Sequence, residues 1–347
     1  MIITDWITFL IALTASACLT FPVRALALHI GMVDHPGPRK IHVQPVPLLG
    51  GLAIYLGFVL ATVFAFHRAA SAQIAGILAG ASLIILVGFL DDGGHLHHQV
   101  KLFAGMPCAA LILWATGVRA NLFSAMVPGT LGLICDLVFT VVWVTGIIAA
   151  FSILDHMDGL CAGVATVAAA FFAIAAAMTG QFLVRSLAIA VFGAALGFVL
   201  WNFNPAKIFM GDGGAMLLGF LLAALSVKIR PPALLGLAGW LVPLLILAVP
   251  VLDTALVSVS RSRRGLLPFA SPGKDHTAHR LANLGLGTRG AVLLLYSAGI
   301  LGGVLALALV RGGVPPSVPL LGLALGVLLV AIFLLERAPF ERQPRRR

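Results

Sequence analysis

Charge is scarce in this chain, and glutamate is scarcer than aspartate. Only 10% of the 347 residues are charged, and the acidic residues are aspartates apart from Glu336 and Glu341. Hydrophobic residues make up 61% of the chain, against roughly 45–50% in soluble domains. The composition therefore excludes an ordinary soluble protein and is typical of a chain that crosses a membrane several times.

Paired cysteines and a basic N-terminus are also missing. Cys18, Cys108, Cys135 and Cys161 lie singly in apolar segments, so neither a disulfide framework nor a cysteine metal site is indicated. No Lys or Arg precedes the first apolar run, unlike the start of a cleaved signal peptide. We expect this run to be retained as the first span.

Long apolar runs fill most of the chain and predict membrane-spanning helices. A helix needs roughly 17 to 25 residues to cross the hydrocarbon core, and no strand alternation points to a barrel. The sequence predicts an all-α polytopic bundle in one integral-membrane domain, residues 1–347. About eleven spans are expected, at 3–27, 47–66, 72–90, 101–117, 131–153, 160–178, 182–200, 213–227, 234–257, 290–310 and 318–335.

Most of the 22 Lys and Arg residues fall on one side of these spans. The positive-inside rule makes that side cytoplasmic, with the N-terminus out and the C-terminus in. The net charge of +10 is thus explained by the cytoplasmic loops and by a basic C-terminal tail, which would lie near anionic lipid. No nucleic-acid partner is expected. The predicted cytoplasmic loops, which would carry the catalytic residues, are 28–46, 91–100, 154–159, 201–212 and 258–289.

Most aspartates gather in or beside these cytoplasmic loops. A carboxylate at membrane depth costs about 2.5 to 3.5 kcal/mol, so acids retained next to apolar walls indicate function. Asp155 and Asp158 lie in "FSILDHMDGLCAG" between two spans. A transporter fits less well, because these acids cluster at one face and do not line a path across the midplane.

Two motifs predict a divalent metal ion. In "GFLDDGGH", Asp91 and Asp92 would repel each other unless a cation lies nearby. Mg²⁺ binds one or two carboxylates and completes its shell with water and phosphate oxygens. In "NFNPAKIFMGDGGAM", Asp212 precedes a glycine pair that starts a helix, where backbone amides form an anion site. Lys207 would add a point charge for the same phosphates.

A histidine-rich loop, "SPGKDHTAHRL", supplies a third group. Helical spacing places His276, His279 and Arg280 towards one volume, suited to a diphosphate or a leaving-group oxygen. Zinc is the alternative ligand, disfavoured because the cysteines are distant and nearby oxygens suit Mg²⁺ better. Lys40 and His42, in a proline-rich loop, form another basic edge that would face an anion. Together these groups predict metal-assisted chemistry on a phosphate-containing substrate beside lipid.

The same blocks resemble the polyprenyl-phosphate N-acetylhexosamine-1-phosphate transferases, in glycosyltransferase family 4. They occur in family order over nearly the whole chain: "DHPGPRKIHVQPVPLLGGLAIYLG", "GFLDD", "DHMDGL", "FNPAKIFMGDGG", "PVLDT" and "DHTAHRL". The resemblance implies ten or eleven transmembrane helices with a cytoplasmic active site in a bacterial inner membrane. It also implies transfer of a sugar 1-phosphate from a UDP-sugar to undecaprenyl phosphate, with release of UMP, in cell-wall or lipopolysaccharide biosynthesis.

The resemblance implies a role for each matching residue. Mg²⁺, with Mn²⁺ as an alternative, would be held chiefly by Asp212, with Asp92 nearby, and a homodimer is a further expectation. The predicted catalytic residues are Asp91, Asp92, Asp155, Asp158, His276 and His279. The predicted substrate-binding residues are Lys40, His42, His156, Asn202, Lys207 and Arg280.

Several positions depart from the family pattern. Ala149 and Ser152 stand where asparagine is usual, and His156 where glycine is usual; Gly213, Ala215 and Ala278 replace Thr, Ser and His. The departures leave two hypotheses. In the first, the chain is an active transferase that accepts a different sugar or base, or in which His156 replaces a lost donor. In the second, it is a catalytically silent relative that acts as a membrane partner or assembly factor. For His156 alone, a core imidazole satisfied by backbone is the alternative to a substrate ligand.

Overall fold

The architecture is a bundle of apolar α-helices. A computed structural model describes residues 2–36, 45–69, 71–232, 234, 236–266, 273–312 and 318–338. The helices are α1 Ile2–His29, α2 Gly50–Phe66, α3 Ala72–Asp92, α4 His98–Val100, α5 Met106–Ala115, α6 Thr130–Leu154, α7 Leu160–Met178, α8 Phe182–Asn202, α9 Gly211–Lys228, α10 Leu237–Ile246, α11 Ala248–Arg263, α12 Thr277–Leu281, α13 Gly287–Gly312 and α14 Val318–Glu336. Single π-helical turns, Lys101–Gly105 and Ala282–Leu286, precede α5 and α13.

The helices coincide with the predicted spans to within a few residues, so the all-α polytopic fold is confirmed. In the part of the chain that the structure describes, seven helices are long and apolar enough to cross a membrane, or eight with one bent pair. Two shorter apolar helices, Gly50–Phe66 and Lys101–Ala115, accompany them. The total of eleven spans and their orientation stay predictions.

Helix α9 forms the centre of the bundle. Its residues 213–227 are all buried, and it packs against α2, α3, α6, α7 and α8. A helix that is apolar on every side belongs in the interior. Glycines allow the close approaches: a side chain at Gly88 of α3 would collide with the backbone of Gly213, and one at Gly51 of α2 with that of Gly214. The start of α9 is therefore held tightly between two neighbouring helices.

The span predicted at 234–257 is two helices, α10 and α11, bent by 86°. Pro250 has no N–H, so the carbonyl of Ile246 loses the donor that a continuous helix would supply. The chain turns at Leu247, which still closes the last helical bond of α10, from its N–H to the Pro243 carbonyl at 2.9 Å, but has a non-helical ψ of 20°. Proline is an ordinary cause of such kinks, and here it turns α11 away from the line of α10.

A short antiparallel ladder links the first polar loop to the start of α9. Strand β1, Val33–Asp34, pairs with strand β2, Val46–Pro47. The chain after β2 bonds to the residues that precede α9: Phe209 N–H donates to the Pro47 carbonyl, and Gly50 N–H donates to the Phe209 carbonyl, both at 2.9 Å. Lys40 and His42, in the loop between the strands, lie outside the described residues.

One buried acid belongs to the far end of the bundle. Asp136, near the start of α6, is fully buried and accepts three backbone N–H bonds, from Leu122 and Phe123 at 2.8 Å and Ser124 at 3.0 Å. These bonds satisfy the carboxylate within the loop that precedes α6. Asp136 is therefore a structural residue that fixes that loop.

Candidate active site

The carboxylate of Asp92 closes the N-terminus of α9. Its Oδ1 accepts from the Asp212 N–H at 2.8 Å and its Oδ2 from the Gly213 N–H at 3.2 Å. A helix N-terminus has unpaired N–H groups and a partial positive charge, both of which favour a carboxylate. The glycine turn expected to bind an anion is thus already occupied by the carboxyl group of Asp92.

Gly211 makes this contact possible. Its φ of +72° lies in the left-handed region that favours glycine. A side chain there would also collide with the Asp92 carboxylate. Steric contact with Asp92 therefore explains why the first residue of the "GDGG" motif is glycine.

Lys101 joins the two other acids of the site. Its ammonium nitrogen lies 2.6 Å from Oδ2 of Asp91 and 2.7 Å from Oδ2 of Asp212. The hydroxyl of Ser152, near the end of α6, donates to Oδ1 of Asp212 at 2.7 Å. Asp91 and Asp92 are adjacent, yet each has its own positive partner, Lys101 for one and the start of α9 for the other. Their expected repulsion is relieved in this way.

The oxygen atoms around Lys101 fit a hard divalent cation. The ammonium group already occupies a position between carboxylate oxygens of Asp91 and Asp212. Carboxylate and hydroxyl oxygens, without sulfur or nitrogen donors, are the ligand set that Mg²⁺ prefers. Asp212 has both oxygens oriented by donors, so it presents a fixed edge to such an ion.

Asp155 and Asp158 follow directly after α6. Burial, with the negative charges of Asp212, Asp92 and Asp158, raises the pKa of Asp155 to about 8. The charges of Asp92 and Asp212 thus act on Asp155, and its predicted role in the site stays a prediction. At neutral pH the Asp155 carboxyl is mostly protonated unless a cation approaches it.

Asp158 is bound to the segment before α9. Its Oδ2 accepts from Nδ2 of Asn204 and from the Ala206 N–H, both at 3.0 Å. Asn204 is held in turn by Arg289, whose Nε lies 3.0 Å from the asparagine Oδ1. Asp158 therefore shapes the wall formed by residues 204–206.

Asn202 stabilises the same wall from the protein interior. Its side chain is buried, with Oδ1 accepting from the Gly159 N–H and Nδ2 donating to the Ile208 carbonyl, both at 3.0 Å. Both ends of the amide are engaged by the protein. Lys207 is exposed, and its ammonium nitrogen lies 5.5 Å from the centre of the Trp201 ring.

Three histidines come together beside Asp253. The rings of His156 and His276 stack with centroids 4.1 Å apart, and those of His156 and His279 are 4.9 Å apart. Nδ1 of His276 lies 3.0 Å from Oδ2 of Asp253, and Oδ1 of Asp253 accepts from the Thr277 N–H at 2.7 Å. The histidine loop is thereby joined to the turn that carries Asp155 and Asp158.

Arginines anchor this loop from behind. Asp275 is paired with Arg261, at 2.9 Å, and with Arg264. Burial raises the pKa of Asp275, but the hydrogen bonds and charges of these two arginines outweigh it and lower that pKa to about 2. Arg280 is fully buried, and its guanidinium contacts the Asp275 and Leu335 carbonyls and the Ser260 hydroxyl.

The described chain brings most of the predicted residues together. Asp91, Asp92 and Asp212 form one connected group, Asp155 is coupled to it, and His156 joins His276 and His279. Lys207 lies apart against Trp201, and the contacts of Arg280 are those of a scaffold. Their roles in binding stay predictions. Two residues were absent from the predicted set, Lys101 and Asp253. Lys101 lies where a predicted span begins and counts among the cytoplasmic cations, whereas Asp253 is a charged residue inside an apolar span, which is itself a signal of function.

Fold and site define a class, a multi-pass helical membrane protein with an acidic, cation-holding centre where α3 and α6 end and α9 begins. The chain belongs to glycosyl transferase family 4, whose model matches residues 74–230. The predicted family is thus confirmed.

Relatives support this membership along most of the chain. A probable undecaprenyl-phosphate N-acetylglucosaminyl 1-phosphate transferase of Bacillus subtilis is 35% identical over 314 residues, covering 87% of this chain and 84% of the relative. A decaprenyl-phosphate N-acetylglucosaminephosphotransferase of Mycolicibacterium smegmatis is 34% identical, covering 83% and 78%. An undecaprenyl-phosphate alpha-N-acetylglucosaminyl 1-phosphate transferase of Escherichia coli is 29% identical, covering 90% and 85%.

Proposed function

We propose that this protein transfers an N-acetylhexosamine 1-phosphate from a UDP-sugar to undecaprenyl phosphate and releases UMP, as the first membrane step of an envelope glycan in the bacterial inner membrane. The names of the relatives support the acceptor class and the sugar phosphate. The observation that carries the proposal is the Lys101 ammonium between Asp91 and Asp212 at the start of α9. Such a centre suits two anionic phosphates that must meet.

The reaction exchanges one phosphorus–oxygen bond for another. A phosphate oxygen of the lipid attacks the phosphorus that carries the sugar, and the bond from that phosphorus to the bridging oxygen of UMP breaks. A phosphate monoester is already largely ionised near neutral pH, so the main barrier is repulsion and alignment. No strong general base is required in this scheme.

The site residues divide this work. Asp212, oriented by Ser152, and Asp91 would hold Mg²⁺, with Asp92 beside them; the bound ion supplies charge that offsets the repulsion between phosphates. Lys101 adds a fixed positive charge that is already in place before substrate arrives, so little reorganisation is needed. Asp155 and Asp158, with the wall at residues 204–206, would shape the nucleotide pocket.

Ser152 favours an active enzyme over a silent relative. The residue stands where the family pattern implies asparagine, yet its hydroxyl still donates to Asp212. The donor function at this position is therefore kept with a shorter side chain. Ala149 has no side-chain donor to replace that of asparagine. The missing donor would change which sugar or base the site accepts.

The test is a transfer assay on purified full-length protein. Undecaprenyl phosphate, Mg²⁺ and a panel of radiolabelled UDP-sugars are supplied, and lipid-linked product and UMP are measured. We expect one UDP-N-acetylhexosamine to give product, and Asp212→Asn to abolish it. Asp5→Asn is the matched control, because Asp5 pairs with Arg185 away from the site. Absence of UMP with every sugar, in folded protein, would support the silent relative instead.

A further inference from the structure

The histidine cluster offers more nitrogen atoms than transfer of a sugar phosphate needs. The ring of His156 stacks on that of His276 and lies beside that of His279, with centroid separations of 4.1 and 4.9 Å, and the rings of His276 and His279 are 6.3 Å apart. Asp253 closes one side of it and is itself buried. The site described above is built from oxygen atoms and Lys101, so this cluster differs from it in chemistry.

The hydrogen bond of His156 fixes where its proton lies. Nδ1 is 3.2 Å from the Ile153 carbonyl oxygen, and a carbonyl only accepts, so Nδ1 carries the hydrogen. Nε2 then has a lone pair, and this atom is buried without a hydrogen-bond partner. Burial and the nearby His276 lower the pKa of His156, so the ring stays neutral. A buried lone pair of this kind is costly unless a donor or a cation meets it.

His276 is oriented in the same way by Asp253. The carboxylate accepts from the Thr277 N–H through Oδ1 and faces Nδ1 of His276 through Oδ2, so Nδ1 carries the hydrogen here too. In the neutral ring the lone pair of His276 is then on Nε2. Metal-binding histidines usually donate their other ring N–H to a carboxylate or a backbone carbonyl, which fixes the tautomer. His276 has the carboxylate and His156 has the carbonyl.

The spacing suits one ion. A ligand atom from each of His156, His276 and Asp253 lies within 4.8 Å of the others. Imidazoles bound to one ion at 2.0–2.1 Å have ring centroids about 5 Å apart, which lies between the separations found here. Binding requires the His156 and His276 rings to rotate, because the lone pairs of stacked rings lie in their own planes and do not meet at one point.

We propose that His156 and His276 bind one divalent transition-metal ion of the zinc class, with Asp253 as the carboxylate partner and the His279 ring beside them. Neutral imidazoles suit zinc, copper, nickel or iron, whereas Mg²⁺ prefers oxygen. The proposal does not require the transfer reaction. If the protein both binds this ion and catalyses the transfer, the ion supplies the positive charge that His276 and His279 are expected to present to a diphosphate.

His156 makes this site a property of this chain. The family pattern implies glycine at that position, which has no ligand to offer. The sequence disfavoured zinc because the cysteines are distant, but the fold brings in His156 and Asp253 from other segments. An ion here would join the turn after α6 to the loop that starts α12 and so hold two walls of the site together.

Cobalt(II) binding to purified, untagged protein tests the proposal. His95→Gln/His97→Gln/His98→Gln protein is the background, so that this second group of histidines cannot contribute. We expect one equivalent of Co²⁺ per chain, with the strong visible bands of a four-coordinate ion. His156→Gly should remove these bands, and Asp253→Asn should weaken binding by about tenfold or more. Displacement by Zn²⁺ should abolish the spectrum.

Matched variants separate the possible results. His67→Ala removes an exposed histidine far from the cluster and should leave binding unchanged. Asp212→Asn should lose transfer and keep the Co²⁺ bands, so failure of the proposed function leaves this inference standing. Co²⁺ binding that is absent, or equal in folded wild type and His156→Gly, would overturn it. If wild type binds no metal and His156→Gly changes the KM for the UDP-sugar, the proposal is also overturned. Nε2 of His156 would then accept a hydrogen bond from the sugar nucleotide.

Discussion

The Lys101 ammonium nitrogen lies 2.7 Å from Oδ2 of Asp212, and the Ser152 hydroxyl lies 2.7 Å from the other oxygen of the same carboxylate. Asp212 is thus held from two sides by residues of two other helical segments. Its orientation is set before any ion or substrate binds. The following predictions depend on this arrangement and on the glycine and arginine contacts around it.

Lys101→Met should lower kcat by about 100-fold or more, because a preorganised charge at the reacting phosphates is lost. Lys101→Arg should restore part of the rate. The measurement is the initial rate of UMP release at saturating substrates. Lys228→Met, at the other end of α9, is the control and should change the rate little. Equal rates for Lys101→Met and wild type would show that the lysine only compensates charge in the resting protein.

Ser152→Ala should raise the Mg²⁺ concentration needed for half-maximal rate by about tenfold. The hydroxyl donates to a charged oxygen, and such bonds contribute about 1.5–3 kcal/mol. Ser152→Asn introduces the residue that the family pattern implies, and it should keep the donor and most of the activity. Mg²⁺ titrations of the three proteins decide this. An unchanged titration for Ser152→Ala would mean that Asp212 needs no donor there.

Gly211→Ala should lose activity out of proportion to its loss of stability. A left-handed conformation costs a non-glycine residue about 1–2 kcal/mol, and the added methyl would also displace the Asp92 carboxylate. Gly180→Ala is the matched control, since Gly180 has a φ of +70° and nothing nearby. Both variants should melt lower, Gly211→Ala somewhat more because it also displaces Asp92, while only Gly211→Ala should lose transfer.

Asp275→Asn should destabilise the protein by about 3–5 kcal/mol, because Arg261 loses its buried counter-charge. The pKa of Asp275 is lowered in the folded state to about 2. Its contribution to stability is therefore present above about pH 4, the unfolded value, and is lost as pH falls towards 2.

Thermal unfolding in detergent from pH 3 to pH 7 measures this contribution. Wild type should lose more stability than Asp275→Asn as the pH falls. Asp5→Asn, which breaks a longer ion pair of 3.4 Å, should cost less at neutral pH. Parallel pH curves for wild type and Asp275→Asn would contradict the assignment of Asp275 as the ionised partner.

The helices could be predicted because each apolar run is long and ends in polar residues. The meeting of Asp91, Asp92 and Asp212 could also be predicted, since all three lie where predicted spans end on one side. Lys101 was counted only as one cytoplasmic cation, because its bond to Asp212 joins positions 111 residues apart. No local pattern encodes such a distance.

The remaining differences have the same origin. The pairing of Asp253 with His276 depends on the bend between α10 and α11, which follows from the backbone at Pro250 and not from hydropathy. The spacing of Arg280 to His276 and His279 predicts a substrate ligand, and that role stays a prediction. Its burial against Ser260 and Leu335 follows from the packing of α11 and α14, which spacing within one loop does not show.

The contact between Asp92 and the first amides of α9 also closes that helix end to other anions. Those amides already bond to the Asp92 carboxyl group, so an arriving diphosphate gains nothing from them. The Lys101 ammonium is held in the same way by two carboxylates. Substrate phosphates should therefore need a further cation to be drawn to this end of the bundle.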